Sequence, residues 1–341
     1  MDNEYKRVNR NDTGTRKKLK LKKRAYIPLI LLILLIGAVI YIFASYQSGL
    51  NTAKEDGVEH EDMVFNSVDN NDGRKLFLLL GADREEDGAT RTDVVMLGQY
   101  DYMQKDLKLV SIMRDVYVDI PGYQNYKINS VFSLGGVELL RQTIAENFGV
   151  QVEDYIVVDY QAFESVVDAI NEEGITIDVE KDMSEKITTE LFAGEQKLNG
   201  EDLLEYARFR QDAEGDFGRV RRQQQVISAV KDEVLTARGI FNLPHAMGTG
   251  MGYVNTSMGN AELYRMAASF LVRGDKDIDS LTLPVDGSYQ FMDTYHAGNV
   301  IDLNFEQNRE VLHQFLNDEL DEPEAHAPEE NLEENDEISH E

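Results

Sequence analysis

The chain has no cysteine and no tryptophan in 341 residues, only six prolines, and 34 basic side chains against 63 acidic ones. Without cysteine there can be no disulfide and no thiolate metal site, so the fold must hold by packing. A formal net charge of −29 argues against nucleic acid as a partner, because that binding is driven by basic patches. The six histidines are scattered. Three of them, His60, His326 and His340, fall in stretches that read as spacer or tail, which argues against a histidine metal site or a Ser-His-Asp triad. A Gly-x-Ser-x-Gly elbow, a Walker phosphate loop and a His-Glu-x-x-His helix are also missing.

What charge there is lies unevenly. Ten basic and three acidic residues precede Ala25, and the run "AYIPLILLILLIGAVIYIFAS" that follows is uncharged and long enough to cross a bilayer. This predicts a basic cytoplasmic segment over 1–24 and an uncleaved single-pass anchor over 25–46. The amino terminus stays inside, and the rest lies outside the cell membrane of a Gram-positive type bacterium. The remainder holds 24 basic and 60 acidic residues, a net of −36. A polar extracellular spacer is expected over 47–74. The last 25 residues carry twelve acids, two prolines and no lysine or arginine, so 317–341 reads as a solvated, disordered tail.

Between spacer and tail, 75–316 reads as one α/β domain. "KLFLLLGA" is continuously apolar, as a strand covered on both faces would be, and "DVVMLGQY", "LKLVSIM", "YIVVDY" and "GITIDV" are further strands. Helical periodicity alternates with them in "GGVELLRQTIAENFG", "YQAFESVVDAINEEG", "DFGRVRRQQQVISAVKDEVL" with Asp216 as its N-cap, "NAELYRMAASFLVRG" and "NFEQNREVLHQFLNDEL". Strands mixed with helices predict an α/β sandwich, a mixed β-sheet between helical layers.

Candidate chemistry lies in arginines and aspartates at strand ends. Asp83 follows the first strand, and Arg91 and Asp93 sit two apart at the entry to the second. Two such carboxylates suit one magnesium ion completed by phosphates and water, or else an ion pair capping a turn. Arg114 and Asp115 follow the third strand, with Lys127 and Asn129 beyond a Pro-Gly turn. In "EYARFRQDAEGDFGRVRRQQQ", an extended "YARFR" would put Arg208 and Arg210 on one side and Phe209 in the core, a two-pronged anion clamp. The helix that follows presents its positive end to an anion. The alternative is that Asp212, Glu214 and Asp216 simply neutralise these arginines.

Taken in order after an N-terminal anchor, the stretches "LLLGADREEDGATRTDVVML", "LVSIMRDVYVDIPGYQNYKINSVFSLGGVELL", "VDYQAFESVVDAINEEGITIDV" and "LNGEDLLEYARFRQDAEGDFGRVRRQQQVI" resemble the LytR-CpsA-Psr family of cell-wall phosphotransferases. The resemblance implies an α/β/α fold and transfer of a polyprenyl-pyrophosphate-linked anionic glycopolymer, of wall teichoic acid or capsular type, to peptidoglycan. A phosphodiester would form at the muramic acid 6-hydroxyl with Mg2+ assistance. By motif, Asp83 and Asp93 would bind the metal, and Arg91, Arg114, Arg208 and Arg210 the pyrophosphate, with Arg91, Arg114 and Asp93 catalytic. Lys127, Arg219 and Gln224 would add supporting contacts. Arg84 departs from the serine or asparagine common after the first aspartate. A prenyl tail needs an apolar groove, so Val137, Leu140 and Ile144 are either core or tunnel lining. The other readings are a lipid-pyrophosphate hydrolase and a non-catalytic wall-binding or regulatory anchor.

Overall fold

The computed structural model describes residues 26–56, 63–68, 73–84, 90–185, 187–212, 214–273 and 278–319. The expectations for 1–24 and for most of the acidic tail fall outside the described residues, as do the side chains of Asp83, Arg84, Thr90 and Arg91. Two compact units divide at Ala44 and Ser45. Helix α1 (Tyr26–Glu55) is the one described helix long and apolar enough to cross a membrane. Thirty helical residues span about 45 Å, which exceeds a bilayer's hydrocarbon core. The helix continues into the stretch expected to be spacer.

In the second unit the central sheet is assembled from β1 (Arg74–Arg84), β2 (Thr90–Asp101) and β3 (Asp106–Ile112), joined antiparallel in sequence. After the short ribbon of β4 (Tyr117–Val118) and β5 (Tyr126–Lys127) comes α2 (Val131–Phe148), bent where Gly136 takes φ 68°. β6 (Asp154–Asp159) then pairs parallel with β1, and Asp159 caps α3 (Tyr160–Ile170) by accepting from Ala162 N at 2.8 Å. β7 (Ile175–Val179) pairs with β8 (Gly194–Leu198) as a separate ribbon rather than joining the main sheet. Three helices follow, α4 (Gly200–Arg208), α5 (Gly215–Val234) and α6 (Ala237–Tyr253). The chain closes with β9 (Asn255–Thr256), α7 (Asn260–Arg273), β10 (Asp279–Leu283), the hairpin β11 (Tyr289–Thr294) and β12 (Gly298–Leu303), and α8 (Phe305–Leu316). The main sheet runs β10-β3-β2-β1-β6-β9.

The fold is therefore a mixed sheet between helical layers, as expected. Alternation along β1 sends Leu76, Leu78 and Leu80 to one side, where they meet α2 and α8 in the largest core. Phe77 and Leu79 point to the other side, toward Met258 and α7. Each fully buried leucine contributes about 1.5 to 3 kcal/mol. α6 packs on the last turns of α1, and a Cβ on Gly248 would stand 2.1 Å from Tyr46 O, a distance no side chain could tolerate. The two ends of the domain meet as well. Arg74 Nη1 donates to Leu316 O at 2.8 Å, and Lys108 Nζ to Phe315 O at 2.5 Å, so two cations cap the open carbonyls of α8.

Candidate functional site

At the end where β1 and β6 finish, β2 carries one extra residue. Gly81 pairs with Val94 and Ala82 with Thr92, which leaves Asp93 in a bulge. A bulge re-aims its side chain out of strict alternation, and Asp93 accepts from Arg114 Nη1 at 2.9 Å. Arg114 stands in the turn after β3, where Met113 N donates to Leu283 O and Asn129 N donates to Arg114 O. Its Nε lies 3.6 Å from Asp115 Oδ2 and 3.5 Å from Asp216 Oδ1. Lys127 Nζ donates to Asp115 Oδ1 at 2.8 Å. From α5, Arg219 places Nη2 2.9 Å from Asp216 Oδ1 and Nη1 3.9 Å from Asp93 Oδ1.

The cluster is only partly satisfied. Arg114 Nε, Arg219 Nε and both Asp216 oxygens are buried without a hydrogen bond among the described residues. The 2.9 Å approach of Arg219 to Asp216 is thus an ion pair without hydrogen-bond alignment. Burial pushes the Asp216 carboxyl above its ordinary range, and Arg219 and Arg114 only partly offset this. Burial likewise pushes Arg219 down, against the pull of Asp216. For Arg114 burial acts downward too, but the hydrogen bond it donates to Asp93 and the charges of Asp93, Asp115 and Asp216 outweigh it and raise the group. Buried guanidinium donors with nothing to bond are costly unless a polar ligand takes them up.

Asp93 and Arg219 also line a cavity of about 400 Å³ between the sheet and α3, α4 and α5. Its apolar wall includes Leu79, Met96, Val158, Phe163, Val226 and Ile227, and its polar lining includes Arg208, Arg210 and Gln223. Arg208 is the last residue of α4, and its guanidinium sits 4.1 Å over the Tyr160 ring. The chain leaves that helix at Phe209, extended at ψ 135° and buried. "YARFR" is therefore helical up to Arg208 and not extended throughout, yet both arginines reach the cavity. Arg222 Nη2 donates to Phe209 O at 2.6 Å and Nη1 to Asp212 Oδ2 at 2.9 Å, which fixes this turn. Arg221 pairs with Glu180 and Glu214. Of the five arginines in the stretch, Arg208, Arg210 and Arg219 face the cavity, and Arg221 and Arg222 are held by acids.

The structure thus brings together Asp93, Arg114, Lys127, Arg208, Arg210 and Arg219. For Asp83 and Arg91 only the backbone is described, as facing partners beside the bulge. Gln224 is turned elsewhere. Its Nε2 reaches Thr282 Oγ1 at 3.2 Å and Ser111 Oγ at 3.4 Å, and Gln223 lines the cavity instead. Asp216 is not the N-cap of α5, a position taken by Glu214 without a side-chain bond. Val137, Leu140 and Ile144 are buried in the core under α2, on the sheet face opposite the cavity. Spacing could have singled out Gln223, four residues after Arg219 and so on the same helix face.

Hard carboxylate oxygens at the bulge are chemically suited to a divalent cation. Among the described residues no group of three or more metal-ligating side chains gathers, and magnesium commonly takes only one or two carboxylates from protein.

Comparison with known proteins matches the LytR_cpsA_psr family over residues 39–312. The regulatory protein MsrR of Staphylococcus aureus (strain COL) is 45% identical over 281 residues, 82% of this chain and 86% of that protein. The polyisoprenyl-teichoic acid–peptidoglycan teichoic acid transferase TagU of Bacillus cereus (strain AH820) is 30% identical over 270 residues, 76% of this chain and 86% of that protein. The crystal structure of B. subtilis TagV superposes with a TM-score of 0.61 at 28% identity, covering 72% of this chain and 97% of that one.

Proposed function

The chain belongs to the LytR-CpsA-Psr family, and from that premise we propose that it moves an anionic glycopolymer, of wall teichoic acid or capsular type, from a polyprenyl-pyrophosphate carrier to peptidoglycan. One observation carries this reading: buried guanidinium donors without partners stand beside an apolar cavity. The cavity suits the prenyl chain, and Arg114, Arg208, Arg210 and Arg219 suit the pyrophosphate, with Lys127 at the edge. The acceptor hydroxyl oxygen bonds to the glycan-bearing phosphorus while the bridging P–O bond breaks. Polyprenyl phosphate leaves, a phosphodiester remains, and the hydroxyl proton passes to a carboxylate of the cluster. Arginine forks that bind a pyrophosphate in two-point fashion hold it in line and compensate charge on the leaving oxygen.

Asp83 and Asp93 would hold magnesium, which supplies further charge neutralisation when bound. Asp93 keeps Arg114 directed at the same phosphates through its 2.9 Å bond. The basic start of the chain orients the anchor with its amino terminus in the cytoplasm and the domain outside, within reach of both a lipid-bound donor and the wall. Protease added to intact protoplasts should then digest the domain.

The test is transfer of a labelled lipid-linked glycan to sacculi stripped of their polymer, with and without Mg2+, by the full chain and by Asp83→Ala and Asp93→Ala. Label joined to glycan only with metal and only by the parent chain is expected. Label released with a free phosphate end would mean hydrolysis, and full activity in both variants would end the metal assignment.

A further inference from the structure

The β11–β12 hairpin is bonded to the segment that carries the arginine-carboxylate cluster. Ile301 N donates to Asp115 O at 2.9 Å, and Val116 bridges Ile301 in parallel. Phe217, the neighbour of Asp216, has its ring centroid 5.7 Å from that of Tyr289, and Tyr289 stands edge-on to Phe291 at 5.7 Å. Phe217 and Tyr289 rest on the main core, whereas Phe291 is 61% exposed. A row of three rings therefore runs from the cluster out to the surface. None of the three lines the cavity, and the pyrophosphate reading leaves them without a role.

Charge narrows what can lie on this row. From Pro284 to Leu303 the chain holds Asp286, Asp293 and Asp302 and no lysine or arginine, so the hairpin repels polyanions and anionic membranes. The surface suits an uncharged molecule with apolar faces and polar edges. An N-acetylated sugar has that form, with C–H groups on its ring faces and hydroxyl and acetamido groups around the rim. Rigid aromatic side chains provide contact area at low entropic cost. Asp293 shares the Phe291 face by strand alternation, and its carboxylate, which accepts from Asn299 Nδ2 at 3.1 Å, has acceptor capacity left for a sugar hydroxyl.

We propose that Phe291 and Tyr289, continuing from Phe217, form the platform on which the acceptor is laid as an uncharged N-acetylhexosamine strand. This rests on the transferase reading above. The platform seats the glycan next to the cluster, so that one of its hydroxyls reaches the phosphorus while the donor keeps to the cavity.

The experiment uses the full chain in detergent micelles and the N-acetylglucosamine tetramer as probe, with Phe291→Ala and, on the opposite hairpin face, Gln290→Ala. Phe291→Ala is expected to weaken tetramer binding about fivefold or more, Gln290→Ala less than twofold, with equal thermal midpoints. Unchanged affinity in Phe291→Ala overturns the platform. So does a shift from dimer to monomer in that variant on sedimentation, since the occupant would then be a second copy. If the parent chain transfers polymer while Phe291→Ala binds normally, only the platform falls. If the tetramer binds through Phe291 and no polymer is ever transferred, the transferase reading falls and the acceptor role with it.

Discussion

Arg114 and Asp93 are joined by a 2.9 Å hydrogen bond from the turn after β3 to a bulged residue of β2. Arg114 is the hub of the cluster, since Asp93, Asp115 and Asp216 all lie within 3.6 Å of its guanidinium. Arg114→Ala should lower the transfer rate by about a hundredfold or more. It should also destabilise the domain by about 1 to 3 kcal/mol, because three carboxylates lose their common partner. Initial rates and urea midpoints measure the two effects separately. A parent-like rate would remove Arg114 from the chemistry.

Arg208→Lys and Arg210→Lys each keep the charge and lose the planar fork, and at position 208 the stack on Tyr160 is lost as well. Each should cut the transfer rate about tenfold, on the order of 1.4 kcal/mol of transition-state stabilisation, with thermal midpoints nearly unchanged. If lysine serves as well as arginine at both positions, the two residues act only as a diffuse positive patch.

The adjacent glutamines should separate cleanly. Gln223→Ala is expected to reduce transfer severalfold, because that residue lines the cavity, whereas Gln224→Ala should cost about 1 kcal/mol of stability by freeing Thr282 and Ser111 and leave the rate within twofold. The opposite pattern in paired kinetic and denaturation assays would reverse the assignment.

Acid should loosen one strap of the fold. The hydrogen bond from Arg141, opposed by some burial and aided by Asn66 N, holds Glu138 down to about 2 from its ordinary 4.5. The folded state therefore prefers the carboxylate, and its contribution is complete above about pH 4.5 and lost as pH falls through about 2. Glu138→Gln should remove on the order of 1 kcal/mol at pH 7 after solvent screening and flatten the acid limb of a urea-midpoint profile. An unchanged limb would mean that Glu138 does not anchor residues 63–68.

The strands β1, β2, β3 and β6 were legible because each is an apolar run bounded by polar turns, and the α/β sandwich followed from their alternation with helices. "GITIDV" read as another strand of the sheet. Its burial alternates strictly, as in a ribbon covered on one face, and it pairs with β8 instead. α6 went unread because Pro244 and its glycines lower helix propensity, and only the close approach of α1 explains why glycine serves there. The arginines of the site stood out against an acidic chain. Asp216 was legible as a counter-charge for the arginines, though not as a neighbour of Arg114, and Gln223 and Tyr160 were not legible, since such places depend on helix phase and on contacts between elements far apart in sequence. The Phe217–Tyr289–Phe291 row joins α5 to a hairpin some seventy residues later, and no local pattern announces it.

The clasp of Arg74 and Lys108 on the carbonyls of Leu316 and Phe315 has a consequence in time. A polypeptide that emerges amino end first presents its central strand early and its closing helix last. Until residue 316 arrives, neither cation has these carbonyls, Arg74 keeps only its pairing with β2 through Asp101, and the leucines of β1 are covered by α2 without α8. Completion of the domain is therefore tied to delivery of Leu316. A fragment that stops anywhere before that point leaves the apolar surface meant for α8 uncovered, the kind of exposed surface on which incomplete chains aggregate.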